Sequence, residues 1–180
     1  VAIAGPNGAG KTTFFESHLK STGLRFLNAD VMARELEVEA YEAARIIAAL
    51  RRELVSQREG FIMETVFSDP VGDKLSFLRQ AAESGYAVVL CFVGIASAEM
   101  SEQRVAMRVS QGGHGVPTAK LVERFPRTLT NLAKGIRELP CVLIFDNDDL
   151  NFPFRHVASY ANGKAVLLST PIPSWLKTLS

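Results

Sequence analysis

Gly5-Pro6-Asn7-Gly8-Ala9-Gly10-Lys11-Thr12 satisfies the pattern G-x-x-x-x-G-K-[ST] at every defined position. Val1-Ala2-Ile3-Ala4 before it is a short apolar run, as a buried parallel strand is, and Thr12 to Lys20 after it reads as a helix. Strand, glycine-rich loop and helix together are the geometry that phosphate binding needs. Glycines let successive backbone N–H groups turn inward around phosphate oxygens. The helix start adds unpaired donors and a partial positive charge. The reading assigns Gly5, Asn7, Gly8, Ala9, Gly10, Lys11, Thr12 and Thr13 to a nucleotide phosphate site. Lys11 would reach the β- and γ-phosphates of ATP, and the Thr12 hydroxyl would help hold Mg2+. Pro6 has no N–H, so the loop donors come from Gly8 onward.

The rest of the chain alternates strand and helix patterns. Strands are expected at 24–30, 61–67, 86–93 and 141–145. Helical spacing fills 31–59, 73–84 and 97–111, and again 118–138 with an interruption at Pro126. Asn162-Gly163 between two short apolar runs signals a hairpin, and the residues from Thr170 read as a tail. The expected fold is α/β: a P-loop NTPase three-layer arrangement with a central, mainly parallel five-stranded sheet and a C-terminal β-hairpin. The 180 residues make one domain, with 47% apolar and 22% charged residues. A net charge of +1, from 20 basic and 19 acidic residues, gives no electrostatic case for a nucleic-acid partner. No apolar run is long enough to span a membrane. Cys91 and Cys141 both lie in strand-like runs, which favours free thiols and a reducing, cytoplasmic setting.

In parallel sheets ligands sit outside the carboxyl ends of the strands, so polar residues there are site candidates. Asp30, ending the second strand, is a general base for an attacking hydroxyl or an N-cap for the next helix. Glu64 interrupts an apolar strand expected beside the phosphate-loop strand. A carboxylate there needs an acceptor, a metal-bound water or a structural arginine. Thr65 adds a hydroxyl. Arg104 and Arg108 share a helix face. With Arg124 and Arg127 they bracket Gly112-Gly113-His114-Gly115, and glycine-flanked arginines suit a lid over about 104–127 that closes on a transferring phosphoryl group. The alternative is a solvated helix face. His114 is a loop contact or a surface histidine. Asp146 and Asn147 border the adenine or open a polar turn. Asp69-Pro70-Val71-Gly72 is read as a turn, because no N-K-x-D guanine signature accompanies it.

Five pieces of the chain carry a resemblance. They are Gly5 to Phe14, Phe26-Leu27-Asn28-Ala29-Asp30, Glu64-Thr65-Val66-Phe67-Ser68, Gly112-Gly113-His114-Gly115-Val116-Pro117, and Glu123-Arg124-Phe125-Pro126-Arg127 continuing to Leu132. In this order and spacing the chain, over residues 1 to about 147, resembles the zeta toxin family of P-loop kinases, nearest its compact bacterial branch. The resemblance implies an adenylate-kinase-like sheet, ATP and Mg2+, and a small hydroxyl acceptor such as the 3′-hydroxyl of the amino sugar in UDP-N-acetylglucosamine. It also implies an antitoxin partner. It makes Lys11 the phosphate lysine and Asp30 the catalytic base, and puts Glu64 in the substrate-contacting strand. Arg108, Arg124 and Arg127 become the lid arginines. Two other readings stand beside this one: a nucleotide-binding or toxin–antitoxin component without transfer, and a nucleoside or RNA kinase.

Overall fold

The computed structural model describes residues 1–113, 115–177 and 179, with the backbone alone at Ala40; His114 lies outside the described residues. In chain order the elements are β1 (Ala2–Ala4), α1 (Lys11–Phe14), β2 (Arg25–Leu27), α2 (Ala29–Glu35), α3 (Ala40–Ser56), β3 (Phe61–Thr65) and α4 (Asp73–Glu83). They continue with β4 (Leu90–Gly94), α5 (Ala98–Ser110), α6 (Thr118–Glu138), β5 (Cys141–Asp146), β6 (Arg155–Ala161), β7 (Lys164–Leu168) and α7 (Ser174–Lys177). One sheet runs in the order β2-β3-β1-β4-β5-β6-β7. The first five strands are parallel, and β6 and β7 extend the same sheet antiparallel. The expected hairpin is present and brings the sheet to seven strands.

Side-chain alternation explains the layering. Ala2, Ala4, Phe61, Met63, Leu90, Phe92, Val142 and Ile144 pack with Ile47 and Leu54 of α3, Leu75 and Leu78 of α4, and Leu132 of α6. Their neighbours Ile3, Ile62, Cys91 and Val93 belong to a second cluster, with Phe14, Phe15, Met100 and Phe125. A period of two splits every central strand between the two faces, and both faces are covered, as a parallel sheet requires.

Three sequence expectations change. Residues 12–20 do not form one plain helix: α1 is followed by a π-helical turn at Phe15–Leu19 and a 3-10 turn at Lys20–Thr22. Pro126 does not interrupt α6, which runs unbroken to Glu138. The residues after Thr170 are not a loose tail. Trp175 and Leu176 are buried, and the Trp175 indole donates to Asp146 Oδ1 at 2.8 Å. Its ring lies against Gly94, where any Cβ would come within 2.1 Å of it.

Candidate functional site

The glycine-rich loop leaves β1 in the middle of the sheet and turns sharply. Gly5, Gly8 and Gly10 have φ of 146°, 73° and 89°. A Cβ on Gly5 would meet the Val93 carbonyl oxygen at 2.1 Å, and one on Gly8 would meet Arg104 Cβ and the Ser101 carbonyl at 3.0 Å. The backbone thus runs close against β4 and α5, a path open only to glycine. Lys11 is buried, with Nζ donating to the Pro6 carbonyl at 3.0 Å. Thr12 and Thr13 are exposed.

Glu64 is the hub beside the loop. Its residue pairs with Ile3 across the β1–β3 ladder, so the expected adjacency of the two strands is found. Its carboxylate accepts from the Thr12 hydroxyl and from Asn28 Nδ2, each at 2.8 Å, and Oε1 lies 3.9 Å from Lys11 Nζ. Thr65 turns to a local task, its hydroxyl accepting from the Phe67 N–H at 3.0 Å.

Asp30 does not end a strand. It sits in the first turn of α2, and Asn28, in extended conformation, is the cap. Asn28 Oδ1 accepts from the N–H of Asp30 at 2.8 Å and of Val31 at 3.2 Å. A single amide therefore fixes the start of α2 on one side and Glu64 on the other. Asp30 itself is exposed. Burial pushes the Lys11 amine below the ordinary lysine range. The charges of Glu64 and Asp30 draw it back up, and that of Arg108 pushes it further down. The four groups thus share one electrostatic neighbourhood.

The arginines separate. Arg108 is exposed. Gly112 closes α5 in the left-handed region (φ 86°), and a Cβ on Gly113 would lie 2.6 Å from Arg108 Cγ, so this glycine makes room for the arginine stem. Arg124 is half-buried. Arg127 pairs with Glu123 at 3.0 Å, and its Nε is buried without a hydrogen-bond partner. Arg104, where the expected lid begins, is occupied in the framework: Nη1 and Nη2 donate to the carbonyls of Asn147 (2.8 Å) and Asp148 (3.0 Å). At the other end, α6 is stitched to the chain after β3, because Thr128 donates to the Val66 carbonyl and Asn131 to those of Phe67 and Asp69.

Sequence reading missed Asn28, Ser101 and the anchoring side of Asn147. Asn28 had a signal, an Asn two residues before the acidic first turn of a helix. Asp146 is buried, accepting from Trp175 and from Arg155 Nη2 at 3.3 Å. Asp69 has its Oδ2 taken by the Lys74 N–H, as a turn residue does. Among the described residues no cluster of three or more His, Cys, Asp or Glu side chains is placed to cage a metal ion, and no helix is long and apolar enough to cross a membrane.

Comparison with known proteins places this architecture. The AAA domain family (AAA_33) matches residues 1–130. An uncharacterized protein of Haemophilus influenzae is 27% identical over 119 residues, 63% of this chain and 83% of that protein. Among solved structures, the AvrRxo1-ORF1:ORF2 complex with ATP superposes with a TM-score of 0.70 at 18% identity, over 92% of this chain. This chain spans only 59% of the length of that neighbour. The PezAT chromosomal toxin–antitoxin system of Streptococcus pneumoniae gives a TM-score of 0.63 at 17% identity, covering 88% of this chain and 71% of that one. At these identities the likeness is one of fold: a P-loop kinase-like α/β sheet with helices on both faces.

Proposed function

This chain belongs to the AAA domain family, and from that premise we propose that it is an ATP-dependent kinase acting on a hydroxyl of a small molecule. One observation carries the reading. Lys11, Thr12, Glu64 and Asp30 converge at the carboxyl ends of three adjacent parallel strands, β2, β3 and β1. A module that only bound nucleotide would need the loop and Lys11, but not a second, exposed carboxylate beside them.

Each residue then has a task. The loop N–H groups and Lys11 hold the β- and γ-phosphates. The Thr12 hydroxyl and the Glu64 carboxylate are hard oxygen donors side by side, which fits Mg2+, an ion bound through one or two protein oxygens plus phosphates. When bound, that ion supplies charge neutralisation on the phosphates. The bond of Glu64 to Thr12 favours this duty, and the Thr65 hydroxyl, while accepting from the Phe67 N–H, keeps its own hydrogen to donate to the acceptor. Asp30 accepts the proton of the acceptor hydroxyl as its oxygen bonds to the γ-phosphorus and the bond to the bridging oxygen breaks, releasing ADP. Arg108 on α5, whose charge bears on Lys11, is the first candidate to meet the charge spread over the migrating group, with Arg124 and Arg127 on α6 the further candidates.

The acceptor to try first is UDP-N-acetylglucosamine, at the 3′-hydroxyl of its amino sugar. The zeta-toxin-like motifs support it, and the pneumococcal toxin–antitoxin neighbour supports an antitoxin as protein partner. The test is phosphoryl transfer from γ-labelled ATP with Mg2+ to a panel of that compound, other sugar nucleotides and nucleosides. Label on one acceptor, absent with Asp30→Ala, is the expected result. ATP binding with only background hydrolysis across the panel would instead favour a nucleotide-dependent binding component.

A further inference from the structure

The loop has three carbonyls tied by side chains, and the three ties differ. Lys11 holds Pro6 O from within the loop motif itself. The Asn7 carbonyl accepts from Ser101 Oγ at 2.7 Å, and the Ala9 carbonyl accepts from Asn147 Nδ2 at 2.8 Å. Ser101 comes from the first turn of α5 and Asn147 from the end of β5, so both ties arrive from elsewhere in the chain. Both residues are buried, at 1% and 3% exposure.

The geometry of the peptide bond gives these ties a direction. In a planar trans peptide the C=O of one residue and the N–H of the next point opposite ways. Pulling the Asn7 carbonyl toward α5 turns the Gly8 N–H to the other side. Pulling the Ala9 carbonyl toward β5 does the same to the Gly10 N–H. These two donors lie within the turn itself, ahead of the N–H groups of Lys11 and Thr12 at the helix start. Pro6 has no N–H, and the Ala9 N–H is spent on the Pro6 carbonyl at 3.3 Å. Glycine at both positions lets the ties come close: a Cβ on Gly8 would press on α5 at 3.0 Å, and one on Gly10 would lie 2.8 Å from Asn147 Nδ2.

The orientation of the Asn147 amide is over-determined. Its Oδ1 accepts from the Phe154 N–H at 3.3 Å, which leaves Nδ2 as the donor to Ala9. Its backbone is clamped as well, with N–H donating to Gly94 O at 2.9 Å and C=O accepting from Arg104.

We infer that Ser101 and Asn147 are positioning residues that aim the Gly8 and Gly10 amides, respectively, at a phosphate chain. The inference rests on the nucleotide site of the proposed kinase and on no particular acceptor. It is tested by calorimetric binding of Mg-ATP and of inorganic tripolyphosphate to the full chain, and by amide NMR of Gly8 and Gly10. Wild type, Ser101→Ala and Asn147→Ala are compared, with Asn147→Asp, which keeps the Oδ1 acceptor and lacks the donor, standing in if the alanine variant does not fold.

The expected result is crossed. Each variant binds both ligands roughly tenfold more weakly, by a similar factor for each, as loss of one hydrogen bond allows. Tripolyphosphate no longer shifts the Gly8 amide in Ser101→Ala but still shifts Gly10, and the reverse holds in the Asn147 variant. A general packing defect would disturb both amides alike. Wild-type affinity with both glycine shifts intact in the variants overturns the inference. A wild-type protein that binds neither ligand removes the nucleotide site itself, and the inference with it, and is told apart from the first failure by that wild-type measurement.

Discussion

The phosphate loop and the side of the site that faces Asp30 and the arginines are built on opposite plans. On the loop side, Gly5, Pro6, Ala9 and Lys11 are buried, and three loop carbonyls accept from side chains. On the other side, Asp30 and Arg108 are exposed and Arg124 is half-buried. Electrostatics links Asp30 and Arg108 to Lys11. The difference suits a two-substrate reaction. A phosphate chain is the same in every cycle and rewards donors fixed in advance. A group that must close over an acceptor has to remain able to move.

The sharpest way to break this contrast is to remove Asp30. Asp30→Ala should lower phosphoryl transfer by roughly 10²–10⁴-fold, the span of general-base contributions, while the Kd for Mg-ATP stays at its wild-type value. Steady-state transfer and equilibrium binding on one preparation check it. Weakened ATP binding with transfer preserved would assign Asp30 to the loop side and end the distinction. Lys11→Ala attacks the fixed half. Transfer should fall by roughly 10²–10³-fold and nucleotide affinity should fall with it, because the lysine serves bound phosphate throughout. Unchanged kinetics in this variant would remove the nucleotide site altogether.

The same contrast explains what could be read in the sequence. The loop is a local code: strand, glycines, lysine and helix follow one another within a dozen residues, and each has one physical reason to be there. Glu64 was legible because a charge inside an apolar strand is conspicuous, and its neighbour strand followed from the parallel sheet. The remaining site depends on side chains that meet only in three dimensions. Asn28, not Asp30, fills the cap, since an Asn at that position satisfies two helix N–H groups at once. Ser101 and Asn147 looked like a helix residue and a turn residue, and their partners lie 94 and 138 positions away. The Trp175 anchor was hidden for a like reason, since a Trp in a proline-rich terminal stretch shows nothing of the Gly94 floor it rests on.

That anchor gives a third, smaller perturbation, directed at the fixed half from behind. Gly94→Ala would put a methyl 2.1 Å from the Trp175 ring, so the ring must leave and its bond to Asp146 is lost. Forcing volume into a packed site costs about 1–3 kcal/mol. The melting temperature should drop, and the emission of the chain's one tryptophan should move to the red. Because Asp146 adjoins Asn147, Mg-ATP affinity should fall slightly as well. An unchanged spectrum and melt would show that α7 is not clamped there.

The smallest effect concerns a thiol beneath the loop. Cys91, on β4, pairs with Ile3 of β1 and packs in the cluster that includes Ala9 and Phe14. Burial there pushes the thiol from 9.0 up to about 12, against a smaller downward pull from the amino-terminal charge of Val1 and with a still smaller upward push from Cys141. In the folded protein it stays neutral where the unfolded chain ionises. Ionisation therefore favours the unfolded state as the pH rises above about 9, and the stability it represents is present below that pH and lost up to about 12. Lys11 acts in the opposite sense at alkaline pH, its lowered folded value making stability rise with pH. The measurement must therefore be a difference. Urea unfolding of wild type and Cys91→Ala at pH 9 and pH 10 should show an additional loss of up to about 1.4 kcal/mol in the wild type alone. Equal slopes would mean that solvent reaches the floor of the loop, and that the fixed half of the site is looser than its hydrogen bonds imply.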